Sequence, residues 1–500
     1  MKQTRFPTTR FALATAGVLI MGLLPATAAS AKKPGPHGHK AHVACSQAAL
    51  VAAIDAANSN GGGTLELARG CDYKLTLSPD SSENGLPAIT TAITIRGDHA
   101  TIDGTGSFRV FEVDGPGGNL AVRQLTITGG SAQDFGGGVA NLGGTVILDH
   151  TRVTGNSAAV AGGGIASATF DPSSAATLIV RHSSVSHNQQ TQPPSQDESG
   201  GLGGGGIANV DGTAKLDHVQ VNGNTAQGGV GGGIASGDYL GSSLATVLTV
   251  NHSQVNDNVA PHAGGGGIQN LLGTATLNSS QVDGNTSLNG GGISSGPGNG
   301  GQPVGTATSQ LILSKSEVNG NTATAPVPQP GSQGGPPIAA GGIANGGNAT
   351  LNSTKVDNNT ASHTSGAGIV NHGTMTLNKS EVNGNTAAGS GVVASGGGII
   401  SAQGPPGTAP TTLTINNSTV NNNRAGGDGG GIANGIPLPG PMPLPGGALT
   451  LNHSQVTGNT AAHGGGIFNN GGTVTLAATS VTGNHPDNCE PPGTIAGCTG

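Results

Sequence analysis

The sequence predicts an all-β chain: a right-handed parallel β-helix of about thirteen coils and three parallel sheets, behind a short N-terminal capping helix. Three observations carry this prediction. A phrase repeats along most of the chain, every copy has apolar residues alternating with a period of two, and every copy places an asparagine at the same bend.

The copies are anchored on the valine of a Val-x-Gly-Asn phrase: Val153, Val185, Val221, Val255, Val282, Val318, Val356, Val382, Val420, Val456 and Val481. Their spacing runs from 25 residues (Val456 to Val481) to 38 (Val382 to Val420), a floor with elastic excess, as in stacked coils that carry loops of different length. Apolar residues stand seven and five places before each anchor, as with Leu413 and Ile415 before Val420 or Leu449 and Leu451 before Val456. A threonine often lies between them, such as Thr414 or Thr450, giving the alternation of a half-buried strand. The 3.6-residue period of a helix is missing from these phrases.

Two places after each anchor the residue is Gly, Asn, Asp or His, the types that enter positive φ most readily, so a bend follows every anchor strand. The next position is always asparagine: Asn156, Asn188, Asn224, Asn258, Asn285, Asn321, Asn359, Asn385, Asn423, Asn459 and Asn484. Identical amides stacked at one bend can hydrogen-bond from coil to coil, so these residues are expected to form a structural ladder. Coils stacked at about 4.8 Å would give a rod of about 60 Å.

Five hundred residues would ordinarily suggest several domains, but a solenoid grows by repetition. Glycine is 93 of the 500 and tryptophan is absent, which suits thin coils and tight bends. Lys2, Arg5 and Arg10 precede the apolar run 11–24, and Ala29-Ser30-Ala31 offers a cleavage site, so residues 1–31 read as a secretory signal peptide. Its removal takes the net charge from −7 to −10. That acidic balance argues against nucleic acid as a partner, and no further apolar run is long enough for a transmembrane segment in the mature chain. A secreted, extracellular or cell-surface location follows. The four cysteines allow three pairings; the local one, Cys45 with Cys71 and Cys489 with Cys498, is favoured and would cap the exposed ends of the solenoid.

Residues 32–44 read as a flexible leader and 45–134 as an N-terminal cap with early coils. In the cap, Ser46 starts a helix over 47–58 whose Leu50, Val51 and Ile54 make an apolar stripe. The regular array runs over 135–484, and 485–500 form a C-terminal disulfide cap. Long excursions follow Ser167, Ser236, Ser295, Ser401 and Asn434 at one corner, and two more, 189–203 and 324–340, leave from another. Loops on a rigid scaffold are where binding tends to sit.

The pairing of Gly-Gly-Gly-Ile, as at 464–467, with Val-x-Gly-Asn resembles the repeats of polymorphic outer-membrane proteins, with valine for the family's phenylalanine and a third glycine for its alanine. The start, from Cys45 through 95–104 to 125–130, resembles secreted bacterial repeat proteins of the pectin-lyase-like β-helix superfamily. Together the resemblance spans about 45–500. It implies the β-helix fold and, for function, surface display or adhesion. No C-terminal membrane barrel is expected here, so the family's display mechanism does not carry over.

The superfamily also contains polysaccharide lyases and glycoside hydrolases, which makes such an enzyme the alternative. That chemistry needs carboxylates with a nearby base. The densest charged group lies in the early coils, and Asp98, Asp103, Arg109 and Arg123 are the weak catalytic candidates within it. The superfamily's hydrolase motifs are missing, and aromatic rings for stacking sugars are almost absent. His150, His182, His218 and His252 share one column in consecutive coils, with His453 later. The column fits a metal or pH-responsive stripe or a polar turn position, and the latter is favoured because Ser279, Lys315 and Asn417 fill the same column. Thr-x-Thr pairs such as Thr412/Thr414 resemble the hydroxyl arrays of ice-binding β-solenoids, although threonine's ordinary strand preference explains them equally well. No cofactor and no metal is assigned. The expected role is non-catalytic adhesion or extracellular binding, with an extracellular polysaccharide or a surface protein as partner.

Overall fold

Each regular coil is written by the same few residues. In the coil that begins at Ala448, the strand Ala448–Asn452 turns Leu449 and Leu451 inward, where they are buried, and leaves Thr450 on the outer side. His453 (φ 49°) makes a left-handed corner, the strand Gln455–Thr457 carries the buried anchor Val456, and Gly458 (φ 69°) makes the next bend. Asn459 follows, and after the glycine triplet the strand Ile467–Asn469 completes the circuit.

This computed structural model describes residues 40–171, 174–194, 202–239, 244–296, 308–324, 338–389, 394–404, 409–437 and 444–499. The expected signal peptide, the leader up to residue 39, and the middle parts of the long excursions, including 195–201, 325–337 and the proline-rich 438–443, lie outside the described residues.

Successive coils stack in register as a parallel β-helix, so that like sits on like. Leu413 pairs with Leu449, Ile415 with Leu451, Val420 with Val456, and Ile432 with Ile467. Three sheets result, of 27, 10 and 14 strands. The first is the largest because Ala92–Asp103 and Asn119–Thr128, each bent in its middle at Asp98 and Gln124, span both strand positions of the later coils. Among the described residues the strands pair in parallel, apart from the antiparallel contacts of Ile432–Ile436 with the short return Leu444–Pro445 and of Ala402 with Gly446. One continuous apolar core fills the interior from Val43 to Ile495, within a compact unit spanning Gly38–Gly500.

The outer sides of the sheets differ. Strands of the third sheet, such as Ile165–Ala168 and Ile207–Val210, are buried on both faces. Loop segments cover them: Ile338 and Leu444 pack on Val370, Ile400 and Ala433, while Phe135 and Leu202 pack on Ala166 and Ala208. The first sheet keeps an alternating pattern with half-exposed outward side chains, as in Thr412–Asn416. Its outer face is therefore the long open surface.

The glycine triplet has a steric cause. Gly464 adopts φ 59°, whereas a Cβ on Gly465 would stand 2.2 Å from the carbonyl oxygen of His485 in the next coil, and one on Gly466 would stand 2.8 Å from Asn484 Nδ2. The first glycine supplies a left-handed turn and the other two supply closeness.

At the N-terminal end helix α1 (Gln47–Ser59), capped by Ser46 Oγ accepting from Ala49 N–H at 3.2 Å, lays Leu50 and Ile54 on the core. One boundary needs correction. Lys40–Val43, assigned to the flexible leader, is a strand that pairs in parallel with Gly62–Leu67. Val43 is buried and its carbonyl accepts from the Tyr73 hydroxyl at 3.0 Å, so this short strand covers an edge that would otherwise be bare. Disulfides join Cys45 to Cys71 beside the helix and Cys489 to Cys498 at the other end.

Candidate functional site

The eleven ladder asparagines stand at one inner corner, ten of them from Asn156 to Asn459 almost wholly buried. Those from Asn156 to Asn459 each donate the backbone N–H and the side-chain Nδ2 to the Oδ1 of the next copy: Asn359 reaches Asn385 at 2.9 Å by both routes. The same Nδ2 also donates to the carbonyl of a valine in the preceding coil, Val318 in this case, at 2.9 Å. The row runs from Gly130 N–H, which donates to Asn156 Oδ1, to Asn488 Oδ1, which accepts from Asn484. These amides are fully occupied inside the protein and offer nothing to a ligand.

Two further polar ladders were not read from the sequence. The buried Ser380 accepts through Oγ from Thr354 N–H at 3.1 Å, and Ser418 Oγ accepts from Ser380 N–H at 2.9 Å. On the outer face Asn378 donates to Asn352, Asn416 to Asn378 and Asn452 to Asn416, at 2.9–3.0 Å. Both could have been found from the same columns, since a polar residue recurs two places and four places before the anchor.

The outer face of the first sheet divides along its length. Toward the C-terminus Thr350, Thr376, Thr414, Thr450 and Thr475 stack in register beside the outer asparagine row. In the middle an acidic row appears. Asp283 accepts from Asn319 N–H at 3.0 Å and Asp357 from Asn383 N–H at 2.9 Å. Burial pushes Asp283 above the usual carboxylate range and Asp357 up to about 6, where the charges of Glu381 and Glu317 add to the effect.

Toward the N-terminus the face carries histidines. His150, His182, His218 and His252 are all left-handed corner residues and form one stack, with ring centroids 4.9, 5.3 and 5.0 Å apart. Arg123, Asp149, Arg181 and Asp217 run beside them in register, alternating in sign. A shallow groove of about 590 Å³ is lined by His99, Gln124, His150, Arg152, His182 and His218. The aspartates stand one place before the histidines of their own coils, and only stacking brings each to the histidine of the following coil as well.

The catalytic candidates do not converge. Arg109 is 3% exposed, with Nη1 donating to Asn84 Oδ1 at 2.8 Å and to Glu112 Oε2 at 2.6 Å, and Nη2 paired with Glu83 and Asp134. Its Nε donates to the Phe135 carbonyl at 3.0 Å. This guanidinium clamps three successive coils. Asp103 accepts from the backbone of Thr105 at 2.8 Å, Asp98 sits at a left-handed bend, and Arg123 leans on Asp149 at 4.0 Å. His463 and Asp428 pair separately at 2.9 Å in a late coil.

Fold and face together define a parallel β-helix repeat protein with an open, periodic polar surface. Set beside family models, curated proteins and solved structures, the chain matches none of them.

Proposed function

We propose that this is a secreted or cell-surface protein that binds an extended extracellular polysaccharide without transforming it. The observation that carries the reading is the register-locked row Thr350–Thr376–Thr414–Thr450–Thr475 with the outer asparagine row beside it. A ligand that is itself periodic can repeat one weak contact at every coil, and linked contacts gain strength through effective concentration. Export is supported by the basic and apolar residues 1–31 and by two disulfides, and among the described residues no helix is long and apolar enough to cross a membrane. Resemblance to adhesive outer-membrane repeats points the same way.

The test is binding of the purified protein to a panel of acidic and neutral polysaccharides, with and without calcium, while unsaturated uronate and new reducing ends are followed. Retention of a polysaccharide without turnover is expected. The triple variant T376V/T414V/T450V, which removes hydroxyls at constant shape, should lose that retention at an unchanged melting temperature. Turnover would replace this reading with the polysaccharide-processing enzyme, directing attention to Asp98, Asp103, Arg109 and Arg123. Failure to retain any member of the panel would overturn it in favour of a protein partner.

A further inference from the structure

The histidine stack contains the same donor set twice. In the first copy Asp149 Oδ1 lies 2.8 Å from His150 Nδ1 and 3.6 Å from His182 Nδ1. In the second, Asp217 Oδ1 lies 3.2 Å from His218 Nδ1 and 3.5 Å from His252 Nδ1. Within each group one ligand atom from every residue lies within 4.8 Å of the others. The repetition comes from the fold. A carboxylate ends the five-residue strand, the next residue turns the left-handed corner, and the coil above offers a second imidazole at the same corner.

We propose that Asp149–His150–His182 and Asp217–His218–His252 are two binding sites for a late first-row divalent cation such as Zn²⁺. Zinc holds nitrogen and oxygen ligands at about 2.0–2.2 Å, which sets the ligand atoms of one ion about 3.3 Å apart. The four Asp–His separations straddle that value, and the imidazoles, each about half exposed, can complete the approach by small rotations. Two imidazole nitrogens with one carboxylate oxygen favour zinc, nickel or copper over calcium and magnesium, which take mostly oxygen. Three protein ligands leave a fourth position open to solvent. Arg181 pairs in register with both Asp149 and Asp217, which separates the two sites, and Arg123 approaches the other oxygen of Asp149. His453 turns the same corner beside Asn452, with Asn417 and Ala478 at the corner positions of its neighbours, and so provides an internal control without the donor set.

The experiment uses the full chain, stripped with a chelator and dialysed against Zn²⁺ at pH 7.5, with bound zinc measured by elemental analysis. His182→Asn and His252→Asn suit the corner, since asparagine tolerates the left-handed conformation and already occupies it at Asn417. The variant D149N/H182N should bind one zinc fewer than the parent, D217N/H252N one fewer, and the combined variant two fewer, while H453N matches the parent. Zinc held by His37, His39 and His42 is common to every variant and cancels in the differences. Zinc should also raise the melting temperature of the parent and not that of the combined variant. Equal zinc in the parent and the combined variant would overturn the proposal. Should the combined variant not fold, the single variants H182N and H252N decide, because each must lose one site.

Discussion

Asn285 donates both its backbone N–H and its Nδ2 to the single Oδ1 of Asn321, each at 2.9 Å, deep inside the protein. Asn258 treats Asn285 in the same way, at 2.9 and 3.0 Å. One amide oxygen therefore serves two donors, and one Nδ2 serves two acceptors, so removal of a single side chain orphans groups in the coils on both sides.

Asn285→Leu should accordingly destabilise the protein by about 2–5 kcal/mol, because the two Asn258 donors and the Val255 carbonyl lose buried partners. Chemical denaturation followed by circular dichroism measures this. A stability equal to the parent's, for this variant and for Asn321→Leu alike, would mean that the ladder contributes nothing.

Arg109 is the most deeply buried charge in the early coils, and Glu83, Glu112 and Asp134 depend on it. Arg109→Met should cost about 3–5 kcal/mol, since buried or half-buried carboxylates lose their counter-charge. Burial already raises Glu83 above the usual carboxylate range, and Asp134 beside it adds to the rise. The loss should be largest at neutral pH and smaller where these carboxylates are protonated; a loss that grows toward acid would refute the clamp.

Asp357 gives a pH dependence of definite sign. Its folded pKa of about 6 lies above the ordinary 3.8, so the folded state holds the proton more tightly. That contribution is present in full below the unfolded value and is lost as the pH rises through 6. Asp357→Asn, which copies the neighbouring Asn319 and Asn383, should raise the melting temperature by about 1–2 °C at pH 8. Near pH 3.5 the gain should vanish. A gain that is larger in acid than in base has the wrong sign for this cause.

The two disulfides close loops of different length, with sequence separations of 26 for Cys45–Cys71 and 9 for Cys489–Cys498. Loop entropy assigns them about 3.5 and 2.7 kcal/mol. Replacing each pair by serine and comparing denaturation midpoints should show the greater loss at the N-terminal cap. The reverse order would locate their effect in native packing rather than in the unfolded chain.

Much of this protein was written in its columns. Apolar alternation before each valine, a bend residue after it and the recurrent asparagine determine a stacked coil, because each feature is local and recurs at the same place in every copy. The buried role of Asn285, the inward Leu449 and Leu451 and the left-handed corner at His453 all follow from position within one repeat. The tertiary structure decided what lies between columns and beyond the repeat. Stacking brought Asp149 to both His150 and His182, which are 32 residues apart, and placed Arg109 among carboxylates drawn from separate coils. It also recruited Lys40–Val43 as a strand and covered the third sheet with loops, leaving the first sheet open. The physical reason is that a repeat encodes each coil's own geometry, whereas the side chains of different columns that meet across the stack, and the surfaces that non-repeating segments cover, are set only once the coils lie on one another in register.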